Sequence, residues 1–390
     1  MKKKIAILGS TGSIGESALQ LISNNNFEIV LLTAKKNYKK ILKQAKIFNV
    51  KNLIITDFKY YQKSLLMNKN KQIKIYNTFD DFNKIIKKRL DYVMSSISGI
   101  DGLKPTFDII KHTKKIAIAN KESIICAWPI LLNELNKNKT KFIPVDSEHF
   151  SIWSEIKNIN PKKINKVYLT ASGGPLLNQK IKSFKNINLK TVLNHPNWKM
   201  GKKISVDSAT MMNKCFEIIE AKNIFDLNYN KLDFIIHPLS YIHAIIVYNN
   251  GISKIIAHDT TMKIPIFNTI YPNNEIYTKL KNINFYKLNK LNFMTIKKSR
   301  FPIISFLKIM PKKFSLFETV VVSINDAIVN KFLLNKIKFA DISKLFLNLI
   351  DRKEFKKYKK NLPTNIDQII DLNNSIFNTV SNLIDAKKIK

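Results

Sequence analysis

The sequence predicts an α/β protein whose first part, residues 1–145, is a doubly wound parallel sheet. Short β-branched runs alternate there with helical patterns, and the strand-like runs read "KIAILG", "FEIVLLTA", "NLIIT", "DYVMSSISG" and "KKIAIAN". Helical patterns such as "SIGESALQLISNN" and "YKKILKQAKIFN" lie between them. Alternation of this kind builds a parallel sheet that binds ligands at the carboxyl ends of its strands.

The composition is that of a globular protein with more than one domain. A length of 390 residues predicts about two to three domains, and 45% hydrophobic residues can form real cores. Only two cysteines occur, Cys126 and Cys215, so a disulfide framework is excluded. The apolar stretches are too short and too interrupted to span a bilayer, and the N-terminus runs into a strand without a signal cleavage site. We therefore expect a cytoplasmic protein with no membrane partner.

The formal net charge of +38 raises the question of a nucleic-acid partner. Only Arg89, Arg300 and Arg352 among the 66 basic residues are arginine, the side chain whose planar fork reads bases. The lysines are dispersed along the whole chain, which is typical of a solvated surface. We expect no nucleic-acid partner, although such a surface attracts anionic small molecules.

A glycine-rich stretch, "GSTGSIG" at residues 9–15, lies between the first predicted strand and the first predicted helix. Its glycines are three residues apart, so backbone N–H groups and the helix dipole can meet a pyrophosphate. The second strand is followed by "KKN", residues 35–37, where an NAD site requires an acidic residue. Two cations and an amide there favour the 2'-phosphate of NADP. A tight turn beside two surface lysines is the alternative.

Two further polar stretches are of the kind that binds small molecules. "IANKES" places Asn120, Lys121 and Glu122 directly after an apolar strand, where a sheet of this class binds its ligand. A helix N-cap followed by solvated charges is the alternative. "LTASGGP" is a strand that ends in a turn of small residues, so Ser172 can offer its hydroxyl to an oxyanion. A plain turn fits that stretch equally well.

The stretch "ISVDSATMMNKCFEIIEA" predicts a helix that Asp207 or Ser208 caps. Asn213 and Glu217 are four residues apart and therefore share one helix face, with Lys214 three residues before Glu217. A helix N-terminus with a serine, an amide and a lysine nearby can bind a phosphate. The alternative is an ordinary surface pair of lysine and glutamate.

Two carboxylates stand close together in "DSEHF", residues 146–150. In an extended segment residues two apart point the same way, so Asp146 and Glu148 can aim their oxygens at one point. Clustered carboxylates repel unless a cation or a proton lies between them, and oxygen ligands favour Mg²⁺ or Mn²⁺. Glu217 would supply a third carboxylate. A solvated acidic turn is the alternative.

Taken in order, several motifs resemble those of the 1-deoxy-D-xylulose 5-phosphate reductoisomerase family: "GSTGSIG", "ANKES", "VDSEH", "SGGP", "HPNWKMGKKISVDSATMMNK" and "IHPLSYIH". The resemblance covers the first two-thirds of the chain, with a weaker echo at "VSINDAIVNKF". It implies a homodimeric enzyme of the non-mevalonate route to isoprenoids. That enzyme isomerises and reduces 1-deoxy-D-xylulose 5-phosphate to 2-C-methyl-D-erythritol 4-phosphate with NADPH and one divalent cation, Mn²⁺, Mg²⁺ or Co²⁺.

The resemblance also implies a domain organisation. A Rossmann-like NADPH-binding domain spans residues 1–146, and an α+β catalytic and dimerisation domain spans 147–272 and carries a lid loop at 194–203. A linker at 273–299 then leads to a C-terminal helical bundle at 300–390.

Individual roles follow from the resemblance position by position. The implied cofactor contacts are Thr11, Gly12, Ser13, Ile14, Lys36, Asn37, Asn120, Glu122 and Gly201. The implied metal ligands are Asp146, Glu148 and Glu217. The implied catalytic and substrate-binding residues are Lys121, Ser147, Glu148, Ser172, His195, Trp198, Met200, Ser208, Asn213, Lys214, Glu217 and His243.

The chain departs from the family pattern at a few positions without losing an implied catalytic group. In the family, glycine is usual at Lys35, at Cys215 and near His258. Glutamine is usual at Leu239, and a smaller residue at Tyr241. Two other classes stay open from the sequence: another NADP-linked dehydrogenase with the same sheet, and a basic nucleic-acid or scaffold protein with a vestigial fold. Metal-dependent NADPH oxidation with the pentulose phosphate, metal-independent turnover of an oxo acid, and salt-sensitive DNA retention would distinguish the three.

Overall fold

The computed structural model describes residues 2–22, 26–69, 72–198, 200–272 and 283–387. These residues divide into two compact units. Unit 1 comprises residues 2–123, 129–150 and 262–272, and unit 2 comprises residues 124–128, 151–261 and 283–387. The predicted linker at 273–299 begins in residues 273–282, which lie outside the described residues.

Unit 1 is built on a parallel sheet. Its strands are β1 (Lys3–Leu8), β2 (Phe27–Ala34), β3 (Asn52–Ile55), β4 (Lys74–Tyr76), β5 (Tyr92–Ser95), β6 (Lys115–Ile118) and β7 (Lys141–Pro144). They pair in parallel in the order β4-β3-β2-β1-β5-β6-β7. The strand order reverses between β1 and β5, which is the point where sheets of this class bind ligands. The predicted doubly wound sheet is confirmed.

Helices follow the strands of this sheet because amphipathic segments alternate with buried apolar runs. They are α1 (Ser13–Leu21), α2 (Tyr38–Ile47), α3 (Phe58–Met67), α4 (Phe82–Ile85), α5 (Leu103–Ile110) and α6 (Lys121–Lys137). A seventh helix, α7 (Ser147–Ile156), begins in unit 1 and ends in unit 2. The core of unit 1 consists of fully buried residues such as Ile5, Ile7 and Leu32, and burial of each such side chain stabilises the fold by about 1.5 to 3 kcal/mol.

Unit 2 contains a second, mixed sheet. Its strands are β8 (Ile164–Ala171), β9 (Leu232–Ile236), β10 (Ile242–Tyr248) and β11 (Ser253–Ala257), in the order β11-β10-β8-β9. Only the β8–β9 pairing is parallel among the described strands of this sheet. Its helices α8 (Leu189–Leu193), α9 (Lys202–Thr210) and α10 (Met212–Phe225) precede β9. Ile152, Ile218 and Phe225 pack with the sheet residues Val167 and Leu169 in one apolar cluster.

A backbone break separates α9 from α10. Met211 has a φ of 71°, a left-handed conformation that no regular helix contains, so α9 ends at Thr210 and a new helix begins at Met212. Asp207 and Ser208 therefore lie in α9, and the prediction that one of them caps the helix carrying Glu217 is wrong. The break changes the direction of the chain just before Asn213, Lys214 and Glu217.

The C-terminal part of unit 2 is helical, as the resemblance implies. After α11 (Lys263–Ile270), which belongs to unit 1, come α12 (Phe285–Asn289), α13 (Phe317–Leu333), α14 (Phe339–Ile350), α15 (Lys353–Lys356) and α16 (Ile366–Asp385). Helix α13 is the centre of this bundle, with α14 and α16 packed against it and with Val320, Val321 and Ile324 fully buried. In the described part of the chain, no helix combines the length and apolar character needed to cross a membrane.

A buried polar contact ties α9 to α13. Asp207 is 2% exposed, and one of its oxygens accepts a hydrogen bond from Asn325 Nδ2 at 2.8 Å. Lys203 Nζ lies 3.6 Å from Asp207 and 2.9 Å from Asp326 on α13. A buried carboxylate is costly unless donors surround it, so this contact fixes α9 against the bundle.

Replacing Asn325 with aspartate should lower the free energy of unfolding. The lost hydrogen bond to a charged group is worth about 1.5 to 3 kcal/mol, and the new carboxylate would repel Asp207 at short range. Urea unfolding at about pH 8 would measure this change, with Asn330→Asp as the control because Asn330 is exposed on the same helix. A midpoint loss no larger than that of the control would contradict the role of Asn325.

Candidate active site

The glycine-rich loop lies where the sequence predicts it, between β1 and α1. Gly9 has a φ of 80°, and a Cβ there would lie 2.8 Å from the Ser96 carbonyl oxygen. A Cβ on Gly15 would lie 2.5 Å from the Gly9 carbonyl oxygen, so the start of α1 packs directly on the loop. The turn thus presents backbone N–H groups and the N-terminus of α1 at the carboxyl edge of the sheet, an arrangement suited to a pyrophosphate.

Residues that sequence reasoning missed hold this loop in place. Gly9 N–H donates to Thr33 Oγ1 at 2.9 Å, and Ser10 N–H donates to the Thr33 carbonyl oxygen at 2.9 Å. Ser10 and Gln44 exchange two further hydrogen bonds of 2.8 and 2.9 Å. A polar residue at the end of a buried strand could have indicated Thr33, whereas Gln44 is one polar residue among many on α2.

The cations predicted to select NADP follow β2, the strand next to β1. Lys36 and Asn37 are exposed, and Asn37 Oδ1 caps α2 by accepting from Lys40 N–H at 3.4 Å. Lys35 forms an exposed ion pair with Asp101 at 2.6 Å. Because β1 and β2 are parallel neighbours, these side chains and the glycine loop lie at the same edge of the sheet.

Asn120 uses its amide to join two loops at this edge. Its Oδ1 accepts from Ser123 N–H at 2.6 Å, as a helix N-cap, and its Nδ2 donates to the carbonyl oxygens of Ile97 and Gly99, the latter at 2.7 Å. Asn120 is therefore a helix N-cap, but the solvated charges of that alternative are not observed, because Glu122 in the first turn is buried.

Asp146 and Lys121 form an ion pair within unit 1. Both side chains are largely shielded, with exposed fractions of 19% and 14%. Glu148 lies in the first turn of α7 and accepts a hydrogen bond from Ser147 Oγ at 2.5 Å. The prediction of an extended segment at residues 146–148 is wrong, because the helix begins directly after β7 and Phe150 N–H already bonds the Asp146 carbonyl oxygen at 2.7 Å.

Glu217 is the buried carboxylate of unit 2. It is 1% exposed, its Oε1 accepts from Asn213 Nδ2 at 2.6 Å, and its Oε2 pairs with the Lys214 ammonium. The predicted shared face of α10 is confirmed. Both partners are also buried or half-buried, so the alternative of an ordinary surface pair is wrong. Burial raises the pKa of the neighbouring Cys215 thiol, which keeps that side chain neutral.

His195 and Ser172 form a second polar cluster in unit 2. Two backbone N–H groups, of Asn197 and Trp198, point at His195 Nδ1 from 3.2 and 3.0 Å, so this nitrogen is the acceptor and Nε2 carries the proton. Nε2 therefore donates to Ser172 Oγ at 3.0 Å, which also accepts from Gly174 N–H at 3.1 Å. Burial lowers the pKa of His195 to about 4.

The predicted lid residues are only partly exposed. Trp198 is half-buried, and its ring and that of His243 are packed edge-to-face at a centroid distance of 6.3 Å. Met200 is half-buried, Gly201 is the exposed N-cap of α9, and Ser208 is half-buried in the last turn of that helix. Lys199 lies outside the described residues.

A parallel sheet with a glycine loop at its switch point, and with a lysine and an amide beyond its second strand, defines a dinucleotide-dependent oxidoreductase. Comparison with known families is more specific. Residues 5–128 match "1-deoxy-D-xylulose 5-phosphate reductoisomerase", residues 142–225 its C-terminal domain and residues 259–377 a "DXP reductoisomerase C-terminal domain". The chain belongs to the 1-deoxy-D-xylulose 5-phosphate reductoisomerase family.

Relatives and solved structures agree over nearly the whole chain. The reductoisomerase of Pelagibacter ubique is 54% identical over 385 residues, 98% of this chain and 99% of the relative. That of Sulfurihydrogenibium sp. is 36% identical and covers 91% and 92% of the two chains. The Zymomonas mobilis enzyme in complex with NADPH superposes with a TM-score of 0.87 at 28% identity, covering 98% and 99%. A reductoisomerase in complex with NADPH, fosmidomycin and magnesium gives 0.89 at 28%, covering 99% and 98%.

The hydrogen bonds of His195 predict a neutral ring across the physiological range. Proton NMR of the imidazole should give a pKa near 4, because burial penalises the charged form. The pKa of His195 in the folded state lies below its unfolded value of about 6.5. Its full contribution to stability is therefore present at pH values above about 6.5. That contribution is lost as the pH falls through the folded pKa. Wild type should therefore lose more stability than His195→Gln in this window, and titration of the ring near its unfolded value would contradict the assignment.

Proposed function

We propose that this protein converts 1-deoxy-D-xylulose 5-phosphate to 2-C-methyl-D-erythritol 4-phosphate by isomerisation and NADPH-dependent reduction. The observation that carries this proposal is membership of the family along almost the full length of the chain, with 54% identity to a curated reductoisomerase. The local geometry agrees with it. Unit 1 carries the glycine-rich loop between β1 and α1, and unit 2 carries the buried Glu217 with Asn213 and Lys214 beside it.

The cofactor fits the carboxyl edge of the parallel sheet. Thr11, Gly12, Ser13 and Ile14 would hold the pyrophosphate, since Gly12 is the N-cap of α1 and the turn leaves no room for side chains on Gly9 and Gly15. The 2'-phosphate would be bound by Lys36 and Asn37, and further contacts would come from Asn120, Glu122 and Gly201. Asn120 is already fixed on both sides by its amide bonds, so it would shape the site as well as contact the cofactor.

The metal ligands in this proposal are Asp146, Glu148 and Glu217. Three carboxylates form a hard oxygen donor set, which suits Mg²⁺ and Mn²⁺ and, with lower preference, Co²⁺. Magnesium is the ion present in solved relatives, and use of manganese or cobalt by this chain is part of the proposal. When bound, the cation supplies Lewis-acid polarisation of substrate oxygens, and NADPH supplies the hydride.

The chain's own residues would bind and orient the substrate. Lys121 and Lys214 now neutralise Asp146 and Glu217 within their units, and their ammonium groups can instead contact an anionic substrate once a cation balances those carboxylates. The substrate phosphate would be held by Ser172, Ser208, Asn213 and Lys214. Ser147 would contact another part of the substrate, between the metal-binding carboxylates. Binding of a remote phosphate can then stabilise a closed lid and exclude water.

The lid in this proposal is residues 194–203, with His195, Trp198 and Met200 facing the substrate and His243 behind them. Nε2 of the neutral His195 ring would donate its hydrogen bond to Ser172 Oγ. This bond would orient the Ser172 hydroxyl so that it donates in turn to a phosphate oxygen. We further propose a cytoplasmic homodimer whose NADPH domain spans residues 1–146 and whose catalytic domain spans 147–272. The linker and the helical bundle would follow at 273–299 and 300–390.

The direct test is consumption of NADPH by the purified chain with 1-deoxy-D-xylulose 5-phosphate and Mg²⁺. Turnover that needs both the substrate and the cation is expected. Absence of turnover with this pentulose phosphate, or equal turnover after exhaustive chelation, would refute the proposal. The other dehydrogenase class would instead predict metal-independent reduction of an oxo acid.

In the same assay, Glu148→Gln should lower kcat/KM by about two to four orders of magnitude, because a Lewis-acid contribution of several kcal/mol depends on its charge. Glu155→Gln is a matched control, since Glu155 lies on the same helix and pairs with Lys254 at 3.0 Å. Its activity should stay within about twofold of wild type, as for other surface pairs. Equal effects of the two substitutions would contradict the assignment of Glu148 as a metal ligand.

A further inference from the structure

Two imidazole rings are stacked at the paired strands β10 and β11. The rings of His243 and His258 lie with centroids 3.6 Å apart and planes 12° from parallel. His243 lies in β10 and is 1% exposed, whereas His258 directly follows β11 and is half-buried. The rings of Trp198 and His243 are packed at 75° to each other. The ring of His243 therefore contacts the ring of His258, at the end of β11, and the ring of Trp198, in the predicted lid.

Backbone carbonyl oxygens fix the proton positions on both rings. His243 Nε2 lies 3.2 Å from the His258 carbonyl oxygen, and a carbonyl can only accept, so Nε2 carries the proton. His258 Nδ1 lies 2.9 Å from the Asp259 carbonyl oxygen and carries its proton for the same reason. His258 Nε2 is then the acceptor, and the Ser151 hydroxyl lies 3.4 Å from it. The rings are thus held in one tautomer and one orientation each.

The strand pairing makes this arrangement specific to position 258. His258 N–H donates to the Tyr241 carbonyl oxygen at 3.0 Å, which continues the β10–β11 pairing for one more residue. The backbone of His258 thereby holds Nε2 of His243, while its side chain covers the ring of His243. One residue supplies both the hydrogen bond and the stacking surface.

We propose that His258 is a positioning residue for the reaction, acting by fixing the ring plane and tautomer of His243 beneath the lid tryptophan. The proposal rests on the proposed function, in which His243 belongs to the active site. Its physical basis is that an aromatic pair contributes interaction energy beyond the burial of its area, which an aliphatic side chain of similar size does not supply. Holding the ring in place matters in catalysis because small misplacements of positioned groups lower the rate.

Two substitutions separate stacking from packing. His258→Phe keeps an aromatic ring at the stacking position, whereas His258→Leu fills a similar volume without one, and both leave the backbone hydrogen bond of residue 258 in place. With Leu, kcat with the pentulose phosphate should fall about three- to tenfold, the effect expected for loss of one aromatic pair. The KM for NADPH should not change. The Phe variant should recover kcat to within about twofold of wild type.

NMR of the His243 imidazole in the full chain gives a readout that does not need turnover. The Leu variant should lose the ring-current shift that the His258 ring causes on the His243 carbon-bound protons, whereas the Phe variant should keep such a shift. The ¹⁵N spectrum of both variants should still show the proton on His243 Nε2, because the backbone carbonyl of residue 258 remains its acceptor. Unchanged His243 resonances in the Leu variant, or equal loss of kcat in the Leu and Phe variants, would overturn the proposal. If wild type itself does not turn over the substrate, the proposed function fails, and the NMR comparison still decides whether His258 positions His243.

Discussion

The structure depends on balancing negative charge that the fold takes out of water. Asp146 in unit 1 and Glu217 in unit 2 are mostly shielded from solvent, and a buried carboxylate without a counter-charge costs several kcal/mol. Lys121 and Lys214 supply that counter-charge within their own units. The high content of basic residues, 66 in all, does not by itself explain why a lysine lies beside each of these carboxylates. Lys121 and Lys214 each neutralise one shielded carboxylate, and the same ammonium groups are suited to an anionic substrate.

Backbone geometry places these charges. The left-handed Met211 ends α9 and starts α10, so that Asn213, Lys214 and Glu217 fall within one and a half turns of a new helix. Helix α9 is in turn held by Asp207 and Asn325 against the central helix of the bundle. In unit 1 the corresponding constraint is the short step from β7 to α7, which leaves Asp146 between a strand and a helix. Each carboxylate therefore sits at an abrupt change of chain direction, where local sequence dictates little.

That distribution explains what the sequence could and could not predict. Strands β1 and β2 are apolar runs that are mostly buried on both faces, so they were predictable from the sequence. The glycine loop was also predictable, because side chains at Gly9 and Gly15 would collide with the backbone. The contacts of Glu217 with Asn213 and Lys214 followed from helical spacing. The break at Met211 was not predictable, because neither glycine nor asparagine marks that left-handed position. The stacking of His243 on His258 depends on the pairing of two strands, between residues 15 positions apart. The hydrophobic periodicity of a sequence does not predict such a pairing.

In the function that we propose, one divalent cation balances the charges of Asp146, Glu148 and Glu217. The most direct test is a titration with Mn²⁺, with the free ion measured by electron paramagnetic resonance, of wild type, Glu217→Gln and the surface variant Glu155→Gln. We expect about one tight site per chain in wild type and in the surface variant. Binding should be at least about tenfold weaker in Glu217→Gln, because one of three anionic ligands is lost. Equal affinity in all three proteins would contradict this proposal.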